Sequence, residues 1–340
     1  MDRHVAGDLP ELDRVVDDAC AAIGAEVDAL AVPHLCGVVL GGGYGRGEGG
    51  AVGVPEAGSS KFEVGRPEGG GWRLSNDLDF FAVAADDGSE AKTAAAISSA
   101  LEPVSKKWSA ELGVDVDFAV KTQWRLKHDE ERIMVQELVR GNFDVAGRKG
   151  EELFAHIERR PAEAIPWMEA ARLLMNRGIG LLLARVRMAG GESAFADARG
   201  DFVARNVNKC ILGVGDAVLV ARRAYRWRAA ERAEAFGGAL YRAALEWKFR
   251  PRAEAVCDWE TARGEWLAAC EEVFAVGGRE GALSRSLREG ARWIARRRTL
   301  GRLASFGENC VVRILRDVER SVRERLAPSP TLMRDWEIFN

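Results

Sequence analysis

The first half of the chain alternates between apolar positions with helical spacing and short apolar runs typical of buried strands. In the first segment, apolar side chains such as Leu12, Val16 and Ile23 fall near one face of a helix. Short runs rich in Val, Leu and Phe follow, and they have the length of strands. The predicted helices are 9–32 and 88–107, and the predicted strands are 35–41, 77–84 and 113–121.

The second half shows only helical periodicity. Pro161 and Pro166 precede a long apolar helix, and glycine pairs such as Gly237-Gly238 and Gly277-Gly278 predict turns in the part that follows. The predicted helices are 167–189, 199–224, 227–248, 258–275, 280–300 and 303–326. The sequence therefore predicts an α+β protein, with a small mixed sheet and flanking helices in residues 1–150 and an all-α helical domain in residues 151–340.

Residues 49–75 interrupt the apolar pattern of the first half. They are rich in Gly, Pro and Ser and contain few large apolar side chains. This composition predicts a long inserted surface loop, in which a small hairpin remains possible.

The charge balance of the chain indicates which classes of binding partner to expect. The chain has 49 Lys and Arg against 52 Asp and Glu, with a net charge of −3, and most of its basic segments are interleaved with acidic residues. We therefore expect solvated helix faces rather than a nucleic-acid surface. Six cysteines are scattered without a C-x-x-C pair, and neither a signal peptide nor a membrane span is visible. These features predict a cytoplasmic protein without a membrane partner, and they leave its oligomeric state open.

A glycine-rich turn follows the first predicted strand. The segment 41–50 reads Gly-Gly-Gly-Tyr-Gly-Arg-Gly-Glu-Gly-Gly. Gly42 and Gly43 allow close approach to phosphate oxygens, because they lack a Cβ atom. A helix that begins near Tyr44 would direct free N–H groups at the phosphate, and Arg46 could add a charge-assisted contact. A tight turn without a ligand is the alternative.

Two carboxylates follow on one face of the next predicted strand. Asp77 and Asp79 are two positions apart, so they point to the same side of a strand. Such a pair is costly unless a cation lies between the carboxylates, and Mg²⁺ binds carboxylates together with substrate phosphates. The third predicted strand offers another acid, with Asp117 as the first choice and Asp115 as the alternate.

Two other phosphate motifs fit less well. Residues 45–50 satisfy G-x-G-x-x-G, but the dinucleotide fingerprint requires further βα repeats, and this chain turns helical instead. A Walker A loop is excluded, because no Gly-Lys-Ser/Thr closes the turn.

The turn, the Asp-x-Asp pair and the later acid resemble the DNA-polymerase-β-like nucleotidyltransferase superfamily. Residues 42–48 are similar to the turn of bacterial uridylyltransferases that modify a nitrogen-signalling protein, and Asn76-Asp77-Leu78-Asp79 is similar to their Ser-Asp-x-Asp. The resemblance covers roughly residues 35–121. The long spacer at 49–75 and the lack of the other uridylyltransferase modules depart from that pattern, so the signalling role is not carried over.

The resemblance implies a two-metal mechanism. Asp77 and Asp79 would hold two Mg²⁺ ions, with Asp117 bound to one of them and acting as the base. The Gly42-Gly43 turn would hold the β- and γ-phosphates while a nucleoside monophosphate is transferred. The expected partners are an NTP, with ATP favoured, and an unidentified acceptor hydroxyl on a small molecule or a protein.

The helical half offers one candidate for phosphate binding. Asn206, Lys209, Gly213 and Asp216 share a helix face, and some relatives supply a lysine to the triphosphate from a helical domain. We therefore expect Lys209 to contact phosphate, with Asp216 orienting it or the acceptor. A solvated helix face or an Asp–Lys pair between helices is the alternative.

Two further functions remain open at the level of the sequence. The chain could be an antitoxin-like enzyme that adenylylates a partner protein, or a nucleotide-binding module that has lost catalysis. Retention of Asp77, Asp79 and a third acid favours an active transferase.

Overall fold

The structure, a computed structural model, describes residues 3–55, 62–65, 70–86, 90–190, 202–279 and 310–339. The fold is α+β, as predicted, and divides into two compact units. The sheet unit comprises Met1–Arg160 with Phe249–Pro251, and the helical unit comprises Pro161–Lys248 with Arg252–Asn340. The sequence placed this division near residue 150.

The sheet unit contains six helices and seven strands among its described residues. The helices are α1 (Pro10–Ala29), α2 (Gly42–Gly45), α3 (Glu90–Leu112), α4 (Gln123–His128), α5 (Ile133–Arg140) and α6 (Gly150–Leu153). The strands are β1 (Leu35–Leu40), β2 (Ala51–Val54), β3 (Val64–Gly65), β4 (Gly71–Leu74), β5 (Leu78–Ala84), β6 (Val116–Thr122) and β7 (Phe143–Gly147).

The main sheet has four strands in the order β6-β5-β1-β7. Strands β5 and β6 are parallel, and β1 is antiparallel to both β5 and β7. The three predicted strands are confirmed as β1, β5 and β6. The edge strand β7 was not predicted, because its five residues include Asp144 and a terminal Gly147 and so lack a clear apolar run.

Hydrophobic side chains cover both faces of the main sheet. On one face, α1 and α3 pack over a core that includes Leu40, Leu78 and Phe80. On the other face, Val39 and Phe81 belong to a second core with residues of α5 and α6. Alternation along each strand decides which face a side chain joins.

The inserted segment forms a second, smaller sheet rather than an irregular loop. Strands β2, β4 and β3 pair antiparallel in that order, with Ala51 opposite Leu74. Both of these side chains are buried. Of the two alternatives left open for residues 49–75, the structure thus shows the one with local strand pairing.

The helical unit contains seven α-helices and one 3₁₀ turn, Ala162–Ala164, among its described residues. The helices are α7 (Trp167–Gly190), α8 (Phe202–Ala221), α9 (Ala229–Phe236), α10 (Ala239–Phe249), α11 (Trp259–Arg279), α12 (Cys310–Glu324) and α13 (Pro330–Phe339). Buried indole groups join α11 to α7: Trp259 Nε1 donates to Leu181 O and Trp266 Nε1 to Leu174 O, each at 2.9 Å.

Two predictions for the helical half were wrong. The helix predicted over 227–248 is two helices, because Gly237, in the turn predicted at Gly237-Gly238, ends α9 in the left-handed region with φ +73°. The turn predicted at Gly277-Gly278 lies inside α11, and α13 was not predicted. The helix predicted over 280–300 lies outside the described residues, as does the first part of the one predicted over 303–326.

Candidate functional site

The glycine-rich turn packs directly against the Asp-x-Asp strand. Gly42 begins the single-turn helix α2 with φ +59°, and a Cβ atom there would lie 2.2 Å from Oδ2 of Asp79. The backbone N–H of Gly41 donates to Asp79 O at 2.8 Å. Glycine is favoured at position 42, because it adopts the positive φ without strain and leaves Asp79 in place.

Gly43 is fixed through its main chain. Its carbonyl oxygen accepts a hydrogen bond from Glu48 N at 2.8 Å, which closes the loop after α2. A Cβ atom at Gly43 would lie 3.2 Å from Glu48 O, so the loop leaves little room for a side chain. The turn predicted to bind phosphate is therefore compact and internally bonded.

The buried side chain of Tyr44 stabilises the turn through hydrogen bonds of its hydroxyl group. Its side chain is 1% exposed, and its hydroxyl donates to Gly50 O at 2.7 Å. The same oxygen accepts from the backbone N–H of Ser75 at 3.2 Å and of Asn76 at 3.4 Å. The side chain thus ties the turn to the segment that leads into Asp77, and the nucleotide-binding prediction for Tyr44 concerns its main chain.

Arg46 lies in an ion-pair network. Its Nη1 is 2.9 Å from Glu137 Oε2, and its Nε is 3.6 Å from Glu48 Oε2. Gly141 packs on the same side chain, since a Cβ there would lie 2.4 Å from Arg46 Cγ. The guanidinium therefore links the turn to α5, and its predicted phosphate contact stays a prediction.

The carboxylates gather at one end of the parallel strand pair. Asp79 and Asp117 are register partners on β5 and β6, and both are exposed. Asp77, which is partly buried, precedes β5 by one residue. Because Asp77, Asp79 and Phe81 alternate with Leu78 and Phe80, the acids lie on the face of the sheet that carries the second core.

Of the two candidates for a third acid, Asp117 is the one that lies inside a strand and directly opposite Asp79. It lies within β6 opposite Asp79, whereas Asp115 precedes the strand and accepts Leu78 N through its main-chain oxygen at 2.8 Å. Burial, together with the negative charges of Asp77 and Asp115, raises the pKa of Asp117 above its ordinary value. The neighbouring negative charges disfavour ionisation of Asp117, and a cation bound beside the three carboxylates would stabilise their ionised form.

The three carboxylates are suited to Mg²⁺ that is bound together with substrate, rather than to a metal held by protein side chains alone. Among the described residues, no three His, Cys, Asp or Glu side chains converge closely enough to hold a metal by themselves. Mg²⁺ needs only one or two carboxylates, because waters and substrate phosphates supply its remaining oxygen ligands. Asp77, Asp79 and Asp117 offer such oxygens beside the glycine turn.

Residues near the N-terminus support the turn in a way that the sequence did not predict. His4 is buried, with Nδ1 3.1 Å from Tyr44 O and Nε2 2.9 Å from Asp17 Oδ1. Asp13 accepts the backbone N–H groups of His4 and Val5 at 2.7 and 2.8 Å. A single histidine far from the motif carries no local signal of this role.

Asn76 contributes a second support. Its Oδ1 accepts the backbone N–H of Gly50 at 2.6 Å, which joins the end of the turn to the start of the acid-bearing strand. This position was noted in the sequence as Asn in place of Ser. Its structural role follows from the side-chain carbonyl oxygen, an acceptor that reaches farther than a hydroxyl does.

The polar face of α8 belongs to the helical unit. Lys209 is exposed there, and its predicted phosphate contact stays a prediction. Asp216 accepts a hydrogen bond from Tyr241 Oη at 2.6 Å and pairs with Arg232 Nε at 3.0 Å. Those contacts link α8 to α9 and α10, and the ion-pair partner of Asp216 is an arginine rather than the lysine of the alternative. The predicted orienting role of Asp216 stays a prediction.

Comparisons with known proteins name no relative. No protein-family model, curated protein or solved structure matches the chain. Within the described ranges, no helix is both long and apolar enough to cross a membrane.

Proposed function

We propose that the protein is a Mg²⁺-dependent nucleotidyltransferase that moves a nucleoside monophosphate from an NTP to an acceptor hydroxyl. One observation carries the proposal: Asp79 lies opposite Asp117 on parallel strands and against Gly42 at the same time. Phosphoryl chemistry needs a phosphate-binding turn next to metal-binding carboxylates, and this contact brings the two together. We propose ATP as the preferred nucleotide and a small molecule or a protein as the acceptor.

In this proposal, each part of the site has a separate task. The main chain of Gly42 and Gly43 holds the β- and γ-phosphates, since no Cβ atom keeps them away. Asp117 takes the proton of the acceptor hydroxyl. The acceptor oxygen then bonds to the α-phosphorus, the bond from that phosphorus to the bridging oxygen breaks, and pyrophosphate leaves.

Asp77, Asp79 and Asp117 would hold Mg²⁺, as two ions. Bound there, magnesium would neutralise phosphate charge and lower the pKa of the acceptor hydroxyl. The chain itself keeps the three carboxylates at one end of the sheet, where the second core fixes the backbone of β5 through Phe81 and Val83. Asp79 and Asp117 are thus held on strands while their side chains are exposed to solvent, and Asp77 beside them is partly buried.

The first test measures binding and turnover separately. Calorimetry with each NTP and Mg²⁺ should show binding of at least one nucleotide, and pyrophosphate release should follow when a hydroxyl acceptor is present. Asp79→Asn and Asp117→Asn should each lower the rate of pyrophosphate release by about 10²-fold or more, because they remove a metal ligand or the base. Asp115→Asn, two residues away and equally exposed, is the matched control and should retain most activity.

Each contrary result has a distinct meaning. Absence of binding by every NTP would contradict the proposal. Binding without turnover for any acceptor class would instead support a nucleotide-binding module that has lost catalysis. Full activity in both Asp79→Asn and Asp117→Asn would show that the chemistry takes place elsewhere, and a selective loss in Asp115→Asn would reassign only the third carboxylate.

A further inference from the structure

A second concave site lies at the β7 edge of the sheet unit. It has a volume of about 620 Å³ and is bounded by the end of α5, the start of β7 and the segment around α6. That volume is in the range of about 300–1,000 Å³ that small-molecule sites occupy. Phe143 lines this cleft and is the register partner of Leu40, so the cleft lies at the same end of the sheet as the glycine turn.

Two arginines lie together in the lining of the cleft. Arg140 is held by hydrogen bonds from Nη1 to Gln136 O at 3.0 Å and to Gln136 Oε1 at 2.5 Å, and from Nη2 to Arg160 O. Burial and the neighbouring charge of Arg159 lower the pKa of the Arg140 guanidinium. Two like charges at such a site repel, and an anion between them would relieve that repulsion.

Arg159 differs from its neighbour in the chain. Arg160 forms ion pairs with Glu130 and Glu131, both at 3.0 Å. Arg159 donates from Nη2 to Val139 O at 3.3 Å and, within the described part of the chain, makes no ion pair. Its charge is therefore available to a ligand that enters the cleft.

The rest of the lining is mainly apolar. Phe143 and Phe154 contribute aromatic surface. Asp144 also lines the cleft, but its Oδ1 accepts Gly150 N at 2.6 Å and so fixes the start of α6. Glu151 also lines the cleft, and the positive charge of Arg159 contributes to the lowered pKa of Arg140.

We propose that this cleft binds an organic anion, with a phosphate or carboxylate group between Arg140 and Arg159 and an apolar part against Phe143 and Phe154. Arginine suits this task because its planar fork of N–H donors matches such groups in a bidentate manner. Binding here does not depend on nucleotide transfer at the carboxylates, so either site can exist without the other.

Calorimetry on the full chain with four probes tests the chemistry of the cleft. Phenyl phosphate and benzoate should bind, and phenyl phosphate should bind more tightly than inorganic phosphate, because its ring adds apolar contact. Benzylamine has a similar ring and the opposite charge, so it should not bind. Equal binding of benzylamine and benzoate would overturn the proposal, as would absence of binding by both phenyl phosphate and benzoate.

Variants then locate the binding site. Arg159→Gln should weaken phenyl phosphate binding by about tenfold or more, because a charged hydrogen-bond donor is lost. Arg148→Gln, an equally exposed arginine outside the cleft lining, should leave binding unchanged. Unchanged binding in Arg159→Gln would place the anion elsewhere.

A change of shape without a change of charge gives an independent check. Ala155 is exposed and lines the cleft, so Ala155→Trp should fill it and abolish phenyl phosphate binding, whereas Ala155→Ser should not. Thermal denaturation of each variant verifies that it is folded. Binding that survives the tryptophan would contradict the proposed location, and binding lost equally with serine would contradict the steric explanation.

Discussion

Gly42 is the residue through which the turn and the carboxylates depend on each other. Its positive φ lets the chain reverse direction directly after β1, and its missing Cβ lets Asp79 approach. Neither requirement can be read from the glycine alone, because the sequence places Asp79 a long insertion away. The close approach follows from the antiparallel pairing of β1 with β5, which brings the end of β1 next to Asp79.

Gly42→Ala should lower both the stability of the protein and its activity. The left-handed backbone costs an L-residue about 1–2 kcal/mol in the free energy of unfolding. The new Cβ displaces the flexible end of Asp79 by about an ångström, a shift that can cost roughly 10²-fold in rate. Thermal denaturation and pyrophosphate release measure the two effects.

Gly264→Ala is the matched control for that experiment. Gly264 lies inside α11, and nothing lies within 4 Å of the Cβ position. Alanine there should increase stability by about 0.5–1 kcal/mol and leave activity unchanged. Equal activity losses in the two variants would show that the effect at Gly42 is not local.

At the scale of secondary-structure elements, a single glycine determines where helix α9 ends. The spacing of apolar residues over 227–248 predicts one helix, yet Gly237 separates α9 from α10. The residue ends α9 in the left-handed conformation, with its N–H bonded to Ala233 O at 3.1 Å, as is common at helix C-termini. Periodicity is insensitive to such a break when the two helices continue the same apolar phase.

Gly237→Ala should destabilise the protein by about 1–2 kcal/mol. The nearest atom to the Cβ position, Glu234 O, is 4.0 Å away, so the cost arises from backbone strain without a steric clash. Urea denaturation measures the change. Gly237→Asn should cost less, since asparagine tolerates this conformation better, and an asparagine variant as unstable as the alanine variant would contradict the explanation.

At the scale of the whole molecule, the strands lie in one compact unit and the other unit is helical in its described residues. The sheet unit buries both faces of its main sheet with apolar side chains of its own helices and strands. The carboxylates lie at the end of this sheet, and Asp79 and Asp117 are exposed. Stability and the proposed catalysis therefore rest on different groups of residues.

Removal of divalent metal should accordingly abolish activity and leave the melting temperature unchanged. A chelator would take Mg²⁺ from the exposed carboxylates without disturbing either core. Addition of Mg²⁺ with a bound NTP should raise stability by about 2.7 kcal/mol when the free nucleotide is 100-fold above its dissociation constant. Differential scanning calorimetry checks both results, and a large fall in melting temperature with the chelator alone would indicate a structural metal instead.

The sequence by itself determined the fold class, three strands of the main sheet, the longer helices, and the candidate acids and glycines. These follow from periodicity and local chemistry, which act over a few residues. Strand β7, the small inserted sheet and the support of the turn by His4 depend on pairing between distant segments. Only the tertiary structure decided which charged side chains pair. Arg46 pairs with Glu137, and Asp216 pairs with Arg232. These pairs form because packing brings opposite charges from distant segments within a few ångströms, where their attraction is strong.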